Sequence, residues 1–442
     1  MNTIDKDATR TPQHPEKERT KRSELLRLLH ASWPFLLLAG IVVGLYFWMF
    51  APKDYADLVP GESRAVIQLK PAALLAGGGS LGTFLAEQVG FRPEGLDETQ
   101  DVYVFITPSG YFGVSAPVHD GRKLSEQILR LSQHNEASIL QRSDQLSWAW
   151  LKRGWIVAWN SDAVLTLGPG TLQEQDKLRQ LGSKIFKAGR RESFRNSEHA
   201  ELLENLDGDV RLYAHLDAIP SPFSMLFRLD LPEKCSERKT LIVASADVQK
   251  AKASGQPLTM QGTITSEDEA TKELLATTSK PIAAPSKPFA PESAVLYMAA
   301  HSDGDKLLQL LRSDATIRTM LLSLDRAIPC DEIAKKGGGD FFLTMMEMPK
   351  DADARFRLFV EQDSSVIYDE HTLLAPPTIE SSTTSELATG KTSFFRLNVT
   401  SLLKQSALQD NETADVFRSI LGGLRTITFA AGKDRSFELT IE

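Results

Sequence analysis

The stretch that indicates the fold most directly reads Leu146-Ser-Trp-Ala-Trp-Leu-Lys-Arg-Gly-Trp-Ile-Val-Ala-Trp-Asn160. Apolar and aromatic residues fill both ends, and Lys152-Arg153-Gly154 interrupts them. Two such runs around a short break that contains glycine are typical of antiparallel strands joined by a turn. The stretch therefore predicts a β-hairpin with strands at Leu146–Leu151 and Trp155–Asn160.

The four tryptophans of this hairpin are the candidate ligand-binding site. Because side chains alternate along a strand, Trp148 and Trp150 share one face of the first strand, and Trp155 and Trp159 share one face of the second. Aligned across the hairpin, the rings would form a platform for a sugar, a peptide or a partner protein. The alternative, which we favour, is a core face sealed by aromatic cross-strand pairs. Burial of all four rings would argue against the platform.

The rest of the region after the apolar run at residues 33–50 is predicted to mix strands and helices irregularly, with hairpins and without regular β-α-β alternation. The predicted strands are Ala65–Leu69, Asp101–Thr107, Tyr111–Ala116 and Ala163–Leu167, and the predicted helices lie near Lys123–Gln133 and Thr171–Phe186. This mixture predicts an α+β fold in which helices pack on antiparallel sheet.

The same order of parts occurs twice. Pro60-Gly-Glu-Ser-Arg-Ala-Val and Pro291-Glu-Ser-Ala-Val each open a strand, and each series ends in a hairpin, Thr240–Asp247 with Leu258–Thr265 or Arg425–Ala430 with Ser436–Ile441. Between the two series the chain is rich in Pro, Ala and Ser, as in a semi-extended linker. We therefore predict two related domains, 51–272 and 291–442, joined by a linker at 273–290.

An uncharged apolar run from Trp33 to Phe50 precedes these domains. Eighteen helical residues span roughly 27 Å, close to the thickness of a bilayer core. Five basic residues lie between Lys17 and Arg27, whereas Asp54, Asp57 and Glu62 follow the run, so the positive-inside rule places the N-terminus in the cytoplasm. The bulky end of the run is unlike a signal-peptide cleavage site. The sequence predicts a single transmembrane helix at 33–50, a partly disordered cytoplasmic tail at 1–32, and export of the remainder.

Charge and cysteine content narrow the classes of partner. Residues 1–50 hold seven Lys and Arg against five Asp and Glu, so the formal charge of −8 for the chain leaves −10 for residues 51–442. An acidic exported part argues against nucleic acid as its main partner. A net negative charge still leaves room for a local basic patch. Cys235 and Cys330 are the two cysteines, and an oxidising envelope allows a disulfide between them or two unpaired thiols.

Motifs for catalysis, metals and cofactors are incomplete in this sequence. Gly77-Gly-Gly-Ser-Leu-Gly82 has the spacing of a dinucleotide loop but does not follow a strand directly, and we interpret it as a turn. His301-Ser-Asp-Gly-Asp305 lacks the acidic twelfth residue of a calcium loop, where Arg312 stands. We find no catalytic motif and predict no enzyme, no metal and no cofactor.

The chain resembles, over about residues 58–442, a family of uncharacterised envelope proteins of the Bacteroidetes. The resemblance rests on the opening strand from Pro60, the Leu74-Leu75 or Leu307-Leu308 pair and the strand at Asp101–Thr107. The resemblance implies a bacterial envelope location and offers no catalytic residues. We therefore expect a single-pass inner-membrane protein with periplasmic domains that binds a protein or organises an assembly. The alternatives are a ligand-binding or sensory protein that uses the tryptophan hairpin, and a hydrolase. The sequence leaves the oligomeric state open.

Overall fold

The computed structural model describes residues 54–70, 93–97, 99–143, 146–219, 223–228, 231, 235–277, 280–283, 294–302, 339–347, 356–362, 365–369, 388–403 and 423–442. The apolar run at 33–50 lies outside these ranges, so the transmembrane helix stays a prediction. No helix within the described ranges is both long and apolar enough to cross a bilayer.

The described part of the chain is an α+β fold, as predicted. Its strands are β1 (Ala65–Leu69), β2 (Val102–Ile106), β3 (Phe112–Pro117), β4 (Gln141–Ser143), β5 (Leu146–Leu151), β6 (Trp155–Trp159), β7 (Ala163–Gly168), β8 (Val210–His215), β9 (Thr240–Ala246), β10 (Leu258–Ser266), β11 (Leu296–Ser302), β12 (Gly339–Glu347), β13 (Phe356–Gln362), β14 (Ser365–Asp369), β15 (Ser393–Asn398), β16 (Thr426–Ala431) and β17 (Ser436–Ile441). The strands predicted from alternation are confirmed to within one residue at either end.

Helices are fewer than strands in the described ranges. They are α1 (Gly121–Gln133), α2 (Gln175–Lys187), α3 (Glu198–Glu204), α4 (Phe223–Arg228), α5 (Val248–Ser254), α6 (Glu269–Thr277) and α7 (Val399–Leu403), and short 3₁₀ turns occur at Tyr55–Leu58, Leu172–Glu174, Arg190–Glu192, Phe194–Asn196 and Leu216–Ala218. The two helices predicted from the sequence correspond to α1 and α2. Helix α6 continues to Thr277, past the predicted start of the linker at residue 273.

All the described strands belong to one antiparallel sheet. Its spatial order is β4-β5-β6-β7-β3-β2-β1-β8-β9-β10-β17-β16-β15-β11-β12-β13-β14. The order β3-β2-β1-β8-β9-β10 in the first half has the same connectivity as β13-β12-β11-β15-β16-β17 in the second. The two halves meet where β10 pairs with β17. The predicted division into two domains stays a prediction, since both halves share this sheet.

The sheet buries apolar side chains on both faces. On one face, Phe105, Leu165 and Tyr213 are at most 1% exposed and belong to a core that also includes Leu58 from the first 3₁₀ turn and Leu178 from α2. Fully burying a side chain of this size is worth about 1.5–3 kcal/mol, so this core is a main source of stability.

Helix α1 covers the opposite face near the tryptophan hairpin. The Asp120 carboxylate accepts a 3.0 Å hydrogen bond from the backbone N–H of Arg122 and so caps the helix. Leu124 and Ile128, four residues apart, lie on one helix face and are fully buried against Val157 and Val164. Farther along the same face of the sheet, α4 and α6 place Phe227 and Leu275 in a further apolar cluster.

Candidate functional site

The tryptophan hairpin forms as predicted. Strands β5 and β6 are joined by a turn at residues 152–154, and the Gly154 backbone N–H donates a 3.0 Å hydrogen bond to the Leu151 carbonyl. Gly154 has a φ of +85°, a left-handed conformation that glycine adopts without steric cost.

The four indole rings do not form one platform. Trp148 pairs with Ala158 and Trp150 with Ile156, whereas Trp155 pairs with Leu151. Because residues paired directly across an antiparallel sheet share a face, Trp148 and Trp150 lie on one side of the sheet and Trp155 on the other. Trp159 is four residues after Trp155 in the same strand, so it lies on the same side as Trp155.

All four rings are also buried. The exposed fractions are 6% for Trp148, 9% for Trp150, 5% for Trp155 and 2% for Trp159. Helix α2 packs on the first pair, and a Cβ at Gly182 would lie 3.0 Å from the Trp148 ring. The second pair packs in the core beneath α1. These positions favour the packing interpretation over an exposed stacking platform.

The other sequence candidates are only partly described. Cys235 is half-buried, while Cys330 lies outside the described residues, so their pairing stays a prediction. The Gly77–Gly82 turn, Asp303 and Asp305 also lie outside. His301 is described, and its Nδ1 lies 2.9 Å from Asp340 Oδ1 on the neighbouring strand β12. Within the described ranges, no group of three or more His, Cys, Asp or Glu is arranged to hold a metal ion.

A groove that the sequence does not predict lies on the same sheet face as Trp148. We call it the tyrosine groove, and its main lining residues are Tyr55, Gln68, Tyr103, Phe194, Arg195 and Leu203. Its volume is about 350 Å³. Strands β1 and β2 form the floor, the first 3₁₀ turn forms one wall, and α3 with the 3₁₀ turn before it forms the other.

A buried carboxylate holds the two walls together. Asp57, with a side chain 1% exposed, accepts a 2.9 Å hydrogen bond from Arg190 Nε and a 3.1 Å bond from the backbone N–H of Asp54. The Phe194 N–H also donates to the Val59 carbonyl at 2.8 Å. The contacts made by Arg190 and Phe194 link residues more than 130 positions apart in the sequence. They fix the width of the groove.

The two phenols of the groove remain neutral over the physiological range. The Tyr55 and Tyr103 ring centroids are 6.0 Å apart. Burial raises the pKa of Tyr103 to about 12, with the Asp101 carboxylate adding to the shift, and burial likewise raises the pKa of Tyr55. Neither hydroxyl bonds to another described group. Both hydroxyls can therefore donate to, or accept from, an incoming ligand.

Charges of both signs surround the groove. Arg195 Nη1 lies 3.1 Å from Asp54 Oδ2, and both side chains are substantially exposed. Gln68 Nε2 donates a 2.6 Å hydrogen bond to Asp101 Oδ2 on the floor, and Glu204 stands exposed on α3. Aromatic surface flanked by both signs of charge and by neutral hydroxyls suits a mixed polar and apolar ligand.

A cluster of histidine, tyrosine and glutamate fixes α3 on the sheet behind this groove. The His199 ring stacks on Tyr213 with centroids 5.0 Å apart, and its Nε2 lies 3.1 Å from Glu267 Oε1. The Tyr213 hydroxyl lies 3.2 Å from His215 Nε2, whose ring Nδ1 lies 2.7 Å from the Arg238 carbonyl. Burial raises the pKa of Tyr213. The cluster positions α3, and it contains no Ser, Cys or Lys nucleophile.

No family model matches the chain, and no curated protein matches it. The solved structure of crystal form IV of TP0453 is similar with a TM-score of 0.31 and 10% sequence identity, over 48% of this chain and 79% of that one. A similarity at that level carries no argument about function.

Proposed function

We propose that the protein is a membrane-tethered, non-enzymatic component of the bacterial envelope that binds another protein, and that a segment of this partner occupies the tyrosine groove. The observation that carries the proposal is the groove itself, with aromatic rings whose hydroxyls lack described partners and with charges of both signs at its rim. The location rests on the sequence: the predicted span ends at Phe50, four residues before Asp54 lines the groove.

The lining residues favour a protein partner. Tyrosine and arginine are enriched among the residues that dominate binding energy in protein interfaces, and Tyr55, Tyr103 and Arg195 line this groove together. The volume of about 350 Å³ lies within the range of roughly 300–1,000 Å³ of ligand pockets. A groove of this size receives a short segment with one or two anchoring side chains, while the rim charges select its register.

The repeated strand order supports a duplicated pair of domains in the exported region. Both halves place six strands in the same order, although the sequences of these strands are different. The tyrosine groove belongs to the first half. A duplicated scaffold with a groove in one copy is consistent with a role in binding or assembly.

Photocrosslinking in intact cells tests the proposal. A photoreactive residue at Gln100, an exposed position that lines the groove, should join the full-length protein to a specific partner. The same residue at Ile139, which is 78% exposed and does not line the groove, should give no such adduct.

Two variants at one position show whether the groove is responsible. Tyr103→Ala should lower the yield of the Gln100 adduct at least tenfold, as expected for an aromatic anchor at an interface, whereas Tyr103→Phe keeps the ring and should lower it less. Urea unfolding of both variants checks that the fold is intact. Recovery of only uncrosslinked monomer, or an adduct indifferent to Tyr103→Ala in a folded protein, would contradict the proposal.

A further inference from the structure

A second groove lies beside the tryptophan hairpin. Two adjoining cavities of about 360 and 140 Å³ open between strands β4 and β5 on one side and helix α2 on the other. We call them together the tryptophan groove, and the lining residues that matter here are Gln141, Arg142, Trp148, Trp150, Arg179 and Ser183. Gln141, Trp148 and Arg179 line both cavities, which makes the groove continuous.

The charge of this groove is opposite to that of the exported region. Arg142 and Arg179 line it together with one carboxylate, that of Asp176. Arg179 Nη2 lies 3.3 Å from Asp176 Oδ1, but both side chains are at least half exposed. The ion pair therefore holds the Arg179 side chain only weakly. No carboxylate in the described ranges pairs with Arg142. The described lining residues therefore carry two positive charges against one negative charge, whereas residues 51–442 carry a formal charge of −10.

Two buried indoles that line the groove also lack an acceptor among the described residues. Trp148 and Trp150 are more than nine-tenths buried, yet in the described structure neither indole N–H donates a hydrogen bond. Buried polar groups are nearly always paired in folded proteins, so two groove-lining indoles without a described acceptor are consistent with a ligand or ordered water in the groove.

We infer that the tryptophan groove binds a small organic anion. Its carboxylate or phosphate group would be held by Arg142 and Arg179, and its polar body would accept hydrogen bonds from the two indole N–H groups. The guanidinium fork matches both kinds of oxyanion, so the geometry specifies the charge and leaves open which acid supplies it. This mode uses the edges of two indoles, not the stacked platform considered from the sequence, and it does not depend on the tyrosine groove.

Calorimetry on the full-length protein in detergent micelles tests the inference with three sugars of one shape. Glucuronate supplies a carboxylate, glucose 6-phosphate a phosphate, and glucose no charge. At least one of the two anions should bind at millimolar concentration or better, with an affinity that falls as salt is raised, and glucose should not bind. The anion that binds more tightly identifies the preferred acid. Equal binding of all three sugars, or no binding by either anion, would overturn the inference.

Variants assign the binding to the groove. Arg142→Gln and Arg179→Gln should each raise the dissociation constant of the preferred anion at least tenfold, because each removes a charged hydrogen-bond donor. Arg153→Gln, at the exposed hairpin turn, removes the same charge outside the groove and should leave binding unchanged.

Trp148→Phe is a further variant, which keeps most of the ring packing and removes the indole N–H. It should weaken anion binding severalfold in a protein with a cooperative unfolding transition. Tyr103→Ala should not affect anion binding, which separates a failure of this inference from a failure of the proposed function. Arginine variants that bind the anion as tightly as the unmodified protein would show that the groove is not the site.

Discussion

The tyrosine groove and the tryptophan groove lie on the same face of one sheet and share one apolar core, yet they differ in what they offer a ligand. The first presents neutral hydroxyls between charges of both signs, and the second is lined by two tryptophans beside two arginines. In both, the aromatic rings are largely buried. In both grooves the rings supply the apolar surface, while the polar groups at the rims determine which ligand each groove suits.

A row of paired residues connects the two floors. Tyr103 pairs with Ser115, Ser115 with Leu165, Leu165 with Ala158, and Ala158 with Trp148. These four steps between neighbouring strands span about 19 Å of the sheet. Because the row is part of one hydrogen-bonded sheet, the two grooves share their floor. Substitutions that affect only one groove should therefore be made in its walls.

The largest effect should come from the wall of the tyrosine groove. Asp57→Ala removes a carboxylate that is 1% exposed and bonded to Arg190, and loss of one partner of a buried pair costs about 3–5 kcal/mol. We expect the lower end, since the Arg190 side chain is 31% exposed and can turn to water. Urea unfolding of the purified protein measures the change in the free energy of unfolding.

Glu94→Ala is the matched control for this change. It breaks the 2.6 Å ion pair between Glu94 and Arg130, two side chains that are both about half exposed. The substitution should lower the free energy of unfolding by less than about 1 kcal/mol. Equal losses in the two variants would mean that Asp57 does not hold the wall of the groove.

A smaller effect should come from the hairpin turn near the tryptophan groove. Gly154→Ala forces a Cβ onto a residue with a φ of +85° and makes it collide with the Gly170 carbonyl oxygen. Strain and collision together should cost about 2–3 kcal/mol. The chain after Gly170 leads into α2, so anion binding in the tryptophan groove should weaken as well.

Gly255→Ala separates strain from collision in this experiment. Gly255 has a φ of +64° with no atom within 4 Å of an added Cβ, so the substitution should cost about 1 kcal/mol through strain alone. If thermal unfolding gives the same loss at both positions, the contact with Gly170 has no energetic weight.

The last effect, which is absent at neutral pH and is the most specific to the tyrosine groove, is the response to alkaline pH. The pKa of Tyr103 is raised from 10.0 to about 12 in the folded protein, so its stabilising contribution is complete below pH 10 and disappears as the pH rises through 12. Tyrosinate absorbance should show phenols that ionise above pH 10 when folded and near pH 10 in urea. Tyr103→Phe should remove one of the late-ionising phenols, and an unchanged titration curve would contradict the assignment.

The hairpin was predictable from local residues, and so was the side on which each indole lies. With a three-residue turn at 152–154, Leu151 must pair with Trp155, and even-numbered residues then pair with even-numbered ones. Trp148 and Trp150 therefore cannot share a face with Trp155 and Trp159. The less favoured hypothesis of a four-ring platform did not use this parity.

The tyrosine groove could not be predicted in the same way. Tyr55, Tyr103 and Phe194 are separated by long stretches of sequence, and they meet only because β1 pairs with β2 on one side and with β8 on the other. Nothing in the local alternation of residues specifies these long-range pairings. The tryptophan groove is intermediate, since its indoles are local to the hairpin but Arg179 and Ser183 come from α2.

The junction between β10 and β17 gives the sheet an unusual kind of symmetry. These two strands end the two repeated orders, and they pair antiparallel from Leu258 with Ile441 to Thr263 with Ser436. Equivalent edges that pair antiparallel are related by a local two-fold axis, which is the geometry of an isologous dimer contact contained in one chain. Opening this junction would expose two mutually complementary edges, so the protein could exchange halves with a second molecule and form a domain-swapped pair.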